Sequence, residues 1–188
     1  MSSASESEEA LASLYALHEE IDRESGRLAQ RHAERLRCAR GCSACCLDDL
    51  TVFPVEAERI RREHAPLLEN ARPAPEGRCA FLDPSGACRI YADRPAVCRT
   101  QGLPLRLLLE DEAEEIVEHR DICPLNLEGG PALDALEEDD CWLIGPHELR
   151  LAAIDARFRE GAIADDPRAL EGGERIALRG LFERVPER

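Results

Sequence analysis

The sequence has no run of about 18 apolar residues, the length that a membrane-spanning helix needs. Its first residues, MSSASESEEALASL, lack the basic leader and apolar run of a signal peptide. Positive charge is also scarce, because 39 acidic side chains face 24 basic ones and the formal net charge is −15. Such a chain repels phosphate backbones and anionic lipid, which argues against nucleic acid and membrane surfaces as partners. We therefore expect a cytoplasmic protein.

The common catalytic and nucleotide-binding motifs are absent from the sequence as well. It contains no G-x-G-x-x-G, no Walker loop, no H-E-x-x-H and no G-x-S-x-G. Acidic runs such as residues 137–140 are abundant, and such runs are typical of a solvated face. The residues that carry chemistry must therefore be sought elsewhere.

The patterns predict a mainly α fold around an irregular, loop-rich cysteine core, with one short β-hairpin and stabilisation by metal. A chain of 188 residues can form one sizeable core. We expect one compact unit with three parts: an N-terminal amphipathic helix at 1–37, a cysteine-cluster metal-binding domain at 38–124, and a C-terminal helical segment at 125–188 packed on it.

Helical spacing marks the two ends of the chain. Residues 8–36 repeat leucine and isoleucine at helical intervals, and Ser5 with Glu8 suggests a capping box at the start. Pro54 stands where a second helix would begin, with Ile60 on its apolar side. Three further segments with helical spacing follow Cys123: PALDALEEDDCWLIG, HELRLAAIDARFREG and ERIALRGLFERV.

Between these ends the pattern changes. Residues 71–100 are dense in Pro, Gly and Asp, which predicts irregular loops with a turn at 83–86. LPLRLLLE and EIVEHR read as the two strands of a hairpin, although residues 103–109 also fit a helix.

Cysteine is the residue whose placement is unusual. Eight of the nine cysteines lie in or beside these loops, whereas Cys141 lies next to Trp142 in an apolar stretch and suits a buried core position. CARGCSACC, residues 38–46, holds four of them. Cys42 and Cys45 have the C-x-x-C spacing that lets two sulfurs meet one ion. In a reducing compartment such spacing favours metal ligands over disulfides.

We expect the eight loop cysteines to be the metal ligands, with zinc or iron, including an iron–sulfur cluster, as the cofactor. Two four-cysteine sites or one multinuclear cluster would use all eight, and the adjacent Cys45 and Cys46 would then serve different ions or different edges. A buried tetrathiolate is negatively charged, so we expect Arg94 and Arg99 to donate to sulfurs or to close the loops through backbone carbonyls. His64 is a weaker ligand candidate. The expected ligands are Cys38, Cys42, Cys45, Cys46, Cys79, Cys88, Cys98 and Cys123.

Three blocks together resemble the YkgJ-type cysteine-cluster family of zinc- or iron-chelating domains: CARGCSACC at 38–46, CAFLDPSGACRIYADRPAVCR at 79–99, and CP at 123–124. The resemblance implies a metal centre on the same eight cysteines. Related cysteine-rich sequences occur in flagellin lysine N-methylases, which resemble iron–sulfur proteins acting with S-adenosylmethionine.

Three functions remain open from the sequence. The first is a metal-binding module that holds zinc or an iron–sulfur or multinuclear cluster and binds a protein or small-molecule partner. The second is an iron–sulfur enzyme, redox or methylase-like, with the cluster at its active site. The third, a thiol–disulfide oxidoreductase, lacks the strand-then-helix context of its motif.

Overall fold

The structure is a computed structural model, and it describes residues 3–110, 113–165 and 175–182. The described residues contain four α-helices and five short strands. The helices are α1 (Ser3–Arg31), α2 (Pro54–Asn70), α3 (Ala96–Arg99) and α4 (Pro146–Asp165). The strands are β1 (Thr51–Val52), β2 (Leu105–Glu110), β3 (Ile116–Asp121), β4 (Trp142–Leu143) and β5 (Ile176–Ala177). The predicted mainly α class is confirmed, while metal stabilisation stays a prediction.

The chain divides into two compact units. Unit 1 comprises Met1–Ala16, Arg40–Pro95 and Leu151–Arg188, and unit 2 comprises Leu17–Ala39 and Ala96–Arg150. The single compact unit with boundaries at 37/38 and 124/125 stays a prediction. Within the described residues, no helix has both the length and the apolarity to cross a bilayer.

The helix α1 confirms the periodicity of the N-terminal region. Its residues Leu11, Leu14, Leu17 and Ile21 are at most 2% exposed. The predicted capping box is wrong, because the helix already includes Ser5, whose hydroxyl donates to Glu9 at 3.2 Å. Hydrogen-bonded turns continue beyond Arg31 to residue 36, so the first cysteine follows the end of this helix as expected.

The core of unit 1 joins α2 to the loops that follow it. Ile60 of α2 is 1% exposed and lies in one cluster with Phe81, Leu82 and Ile90 of the loops. The helix begins at Pro54, as predicted, and its N-terminus is anchored by Asp155 of α4, whose carboxylate accepts the Val55 N–H at 3.0 Å. Strands β1 and β5 pair antiparallel, with Thr51 opposite Ala177.

Unit 2 contains the predicted hairpin. Strands β2 and β3 pair antiparallel from Leu105↔Asp121 to Glu110↔Ile116, and β4 adds a parallel pairing on the other side of β2. The hairpin prediction is therefore confirmed, and the helical alternative for 103–109 is wrong.

Two of the three predicted C-terminal helices are not helical. HELRLAAIDARFREG lies in α4, but PALDALEEDDCWLIG forms two single 3₁₀ turns and β4. The guanidinium of Arg120 donates to the carbonyls of Leu133, at 2.7 Å, and Leu136, at 2.5 Å, which are oxygens that a helix would use internally. ERIALRGLFERV contributes β5 and a 3₁₀ turn at Arg179–Phe182, and its residues 174 and 183–185 lie outside the described residues.

Candidate metal centre

All nine cysteines fall within the described residues, and all are thiols. Unit 1 contains Cys42, Cys45, Cys46, Cys79 and Cys88, whereas unit 2 contains Cys38, Cys98, Cys123 and Cys141. Cys141 is 6% exposed and directly precedes β4, which agrees with its expected core position. The other eight lie in irregular segments except Cys98, which lies in the single turn of α3.

The tight turn of residues 41–47 brings two adjacent thiols into contact. Gly41 has φ +89°, which a residue with a side chain rarely adopts, and the N–H of Cys46 donates to the Ser43 carbonyl at 3.0 Å. A hydrogen bond from the Cys46 side chain lowers the pKa of Cys45 to about 6, against the opposing effect of burial. Cys45 therefore carries much of its charge at neutral pH, which is the form that binds metal.

Cys79 and Cys88 lie on the two arms of a loop that the turn at 83–86 closes. The N–H of Gly86 donates to the Asp83 carbonyl at 3.0 Å, which confirms the predicted turn. Residues Leu82 and Cys88 form an isolated antiparallel bridge. The N–H of Cys79 also donates to the Cys46 carbonyl at 3.0 Å, so this loop is bonded to the 41–47 turn.

Each of these two sulfurs accepts a backbone hydrogen bond from the residue two positions later, Phe81 for Cys79 and Ile90 for Cys88. Burial nevertheless raises the pKa of both thiols, and a charge on Cys79 raises that of Cys88 further. In the absence of a cation both are thus favoured as neutral thiols, while the N–H groups are in place to stabilise a thiolate.

Arginines close the loops of unit 1 through backbone carbonyls, but more of them take part than expected. Arg89 donates to the Ala80 carbonyl at 2.7 Å, across the Cys79–Cys88 loop. Arg179, near the far end of the chain, donates to the carbonyls of Ala74 at 2.8 Å and Arg78 at 2.9 Å. Sequence reasoning missed Arg179, because a residue about a hundred positions away carries no local signal.

The two arginines chosen from the sequence have different surroundings. Arg94 donates to the Tyr91 carbonyl at 3.2 Å and its guanidinium lies 4.1 Å from the Tyr91 ring centroid. Arg99 is 5% exposed and forms an ion pair with Asp22. Their role beside the sulfurs stays a prediction.

The weaker ligand candidate has a carboxylate partner. His64 Nε2 lies 2.9 Å from Asp93 Oδ2, and Arg59 lies 2.8 Å from the other oxygen of that carboxylate. Burial raises the pKa of Asp93, but the bonds from Arg59 and His64 outweigh it and leave the pKa below its usual value. This ion-pair cluster accounts for His64 without a metal.

In unit 2, one buried side chain connects segments that carry cysteines. Asn126, fully buried in the turn after Cys123, donates to the Cys38 sulfur at 3.6 Å and to the Gly102 carbonyl at 2.8 Å. Sequence reasoning missed Asn126, for which the only local signal was its place two residues after the Cys-Pro pair.

The arrangement of ligand atoms leaves the coordination set open. In the described parts of the chain, the one group of three acidic, histidine or cysteine ligand atoms within 4.8 Å of one another is Glu20, Glu24 and His147. Arg150 binds both oxygens of Glu20, at 2.5 and 2.8 Å, so this group is a set of ion pairs. No three sulfurs form such a group, and the eight-cysteine ligand set stays a prediction.

The donor set nevertheless fits a thiophilic metal. Thiols in irregular loops with N–H groups directed at several sulfurs are what zinc and iron sites require. Residues 37–124 match the model of the CxxCxxCC family, a domain described as zinc- or iron-chelating, with that function given as provisional. No curated protein and no solved structure matches the chain significantly.

Proposed function

We propose, on the premise that residues 37–124 form a CxxCxxCC domain, that this protein binds zinc or iron through the thiolates of its eight loop cysteines. Five of these ligands lie in unit 1 and three in unit 2. The metal, when bound, supplies positive charge that ionises the buried thiols and holds the loops together.

The observation that carries this proposal is the pair of backbone N–H groups directed at the sulfurs of Cys79 and Cys88. A neutral thiol is a weak acceptor and gains little from such a bond, whereas a thiolate gains a charge-assisted one. Burial by itself disfavours the thiolate at both positions. The donors are therefore useful chiefly when a cation has displaced the thiol protons.

A protein or small-molecule partner is part of the proposal. Leu47 is 53% exposed and follows Cys46, and Tyr91 is 66% exposed in the loop after Cys88. Large apolar side chains beside candidate ligands offer a contact surface that a protein partner would cover.

A second candidate function, an iron–sulfur enzyme, has one observation in its favour. Of the nine cysteines, all of them described, Cys38 is the one that is exposed. A ligand open to solvent would leave room for substrate at the metal, which a catalytic centre needs.

The experiment is elemental analysis with an absorption spectrum on protein purified without oxygen, normalised per chain. Stoichiometric zinc without a visible band supports a closed thiolate centre with a structural or recruiting role. Iron with sulfide and broad visible absorption favours the enzyme. A chain that retains neither metal, even after reconstitution with zinc or with iron and sulfide, contradicts both.

Serine variants of the two adjacent cysteines refine the result. We expect Cys45→Ser and Cys46→Ser to lower the metal content by different amounts, because adjacent thiols would serve different ions or different edges of one cluster. Complete loss from either would indicate one cooperative cluster. Cys141→Ser is the control, since it removes a buried thiol and should leave the metal content unchanged.

A further inference from the structure

We infer that Asn126 and Gly102 form a seat for the Cys38 sulfur, so that Asn126 is a positioning residue for this metal ligand. The inference rests on the proposed function and concerns unit 2 alone, to which all three residues belong. It assigns a role to a side chain that the cysteine pattern does not include.

Asn126 is bonded on every side of its carboxamide. Its Oδ1 accepts the N–H of Arg37 at 2.8 Å, directly before Cys38. Its Nδ2 donates to the Gly102 carbonyl at 2.8 Å and to the Cys38 sulfur at 3.6 Å. Because the Asn126 side chain is 0% exposed, water does not reach the carboxamide itself.

The same residue connects the three segments of unit 2 that carry candidate metal ligands. Its backbone N–H donates to the Cys123 carbonyl at 2.7 Å. Gly102, which it binds, lies in the turn after the helix α3 that carries Cys98. Asn126 therefore fixes the Cys38 segment relative to those of Cys98 and Cys123.

Gly102 has no side chain and therefore leaves room for the Cys38 sulfur. Its φ of +94° already favours glycine, and a Cβ built on it would lie 2.5 Å from the Cys38 sulfur, well inside van der Waals contact. Any side chain here would move the sulfur or the backbone. The sulfur thus lies between a bare Cα and an N–H donor, an environment that holds a thiolate in one position.

The seat predicts that Asn126→Asp and Gly102→Ala weaken metal binding through Cys38. Aspartate keeps an acceptor for the Arg37 N–H but replaces the donor with a negative oxygen facing the sulfur. Outer-shell changes of this kind cost about 10- to 100-fold in metal affinity. We would measure affinity by competition with a chromophoric chelator, and the Cys38 alkylation rate in the metal-free chain by peptide mass spectrometry.

Matched controls exist within the chain. Asn70→Asp makes the same change at the only other asparagine, which is exposed. Gly145→Ala places a side chain at φ +129°, with nothing within 4 Å of the new Cβ. Neither control should change the metal affinity or the alkylation of Cys38.

The Cys38→Ser background separates positioning from folding. If Asn126 acts through the Cys38 sulfur, Asn126→Asp should cost little additional affinity once that sulfur is gone, because effects on one interaction are not additive. Full additional loss in the Cys38→Ser chain would assign Asn126 a general structural role and overturn the inference. Unchanged affinity and alkylation in both Asn126→Asp and Gly102→Ala would overturn it as well.

Failure of the proposed function gives a different result. A wild-type chain that binds no metal contradicts the metal centre, yet the alkylation rate of Cys38 still tests the seat. A chain that binds metal, but whose metal affinity and Cys38 alkylation rate are the same in wild type, Asn126→Asp and Gly102→Ala, retains the metal centre and loses the seat.

Discussion

The helices and the cysteine loops of unit 1 are held by different kinds of interaction. Each of the helices α1, α2 and α4 buries aliphatic side chains, such as Leu11, Ile60 and Ile154. In the loops, guanidinium groups donate to backbone carbonyls, as Arg89 does to Ala80 and Arg179 to Ala74. The helices gain most of their stability from aliphatic burial. The loops share that apolar cluster through Phe81, Leu82 and Ile90, and they add these polar contacts and, we propose, metal.

The largest expected effect is that of metal removal, which should affect the loops and spare the helices. Structural zinc contributes about 10–16 kcal/mol of apparent binding free energy in zinc-finger peptides. Even a loss of about 3 kcal/mol in local stability raises the fraction of chains with locally unfolded loops, which trypsin can cleave, about 100-fold. With the thiols kept reduced, chelation should therefore accelerate tryptic cleavage after Arg78 and Arg89.

The control for chelation lies in the same unit. Arg61 and Arg62 are within α2, and cleavage after them should stay slow. Far-ultraviolet circular dichroism should show that most helix persists. Equal cleavage rates in the loops before and after complete chelation would show that metal does not stabilise them.

The next largest effect comes from the contact that anchors a helix without metal. Asp155 is 1% exposed, accepts the Val55 N–H at 3.0 Å and pairs with Arg159 at 3.0 Å. Asp155→Ala would leave a helix N–H buried without a partner, which costs about 1–3 kcal/mol. Urea unfolding should report this loss of free energy of unfolding, with unchanged metal content.

Asp155→Asn is the matched variant, because its amide oxygen can still accept the Val55 N–H. Burial raises the pKa of Asp155 above that of an unfolded aspartate, although the bond from Val55 and the charge of Arg159 act in the opposite direction. The stability that this carboxyl contributes is therefore present below its unfolded pKa and is lost as the pH rises through its folded pKa. The free energy of unfolding of Asp155→Asn, relative to that of wild type, should therefore be higher at neutral pH than at acid pH. A difference in free energy of unfolding between variant and wild type that is the same at neutral and acid pH would contradict the raised pKa.

The success of the sequence-based predictions also differs between regular elements and irregular loops. Helical spacing of apolar residues predicted α1, α2 and α4, and two strand-like segments predicted the hairpin, because both patterns are local. The segment at 131–145 was misread as helix since Arg120, distant in sequence, binds its carbonyls. For the candidate site, the cysteines were found by spacing, whereas Asn126 and Arg179 act through contacts 88 and 105 residues away and left no local pattern.

The smallest expected effect is a difference in alkylation rate among the thiols of unit 1. In the metal-free chain at pH 7, Cys45, with a pKa of about 6, should be alkylated faster than Cys79 and Cys88, whose pKa values burial raises. Cys46→Ser keeps a donor and should preserve this rate, while Cys46→Ala should slow it by raising the pKa of Cys45. The pH dependence of alkylation, followed by peptide mass spectrometry, gives that pKa directly. If Cys45 is alkylated no faster than Cys79 and Cys88, contact with Cys46 does not ionise Cys45 before metal binds. Every ligand would then lose its proton only when the metal ion binds.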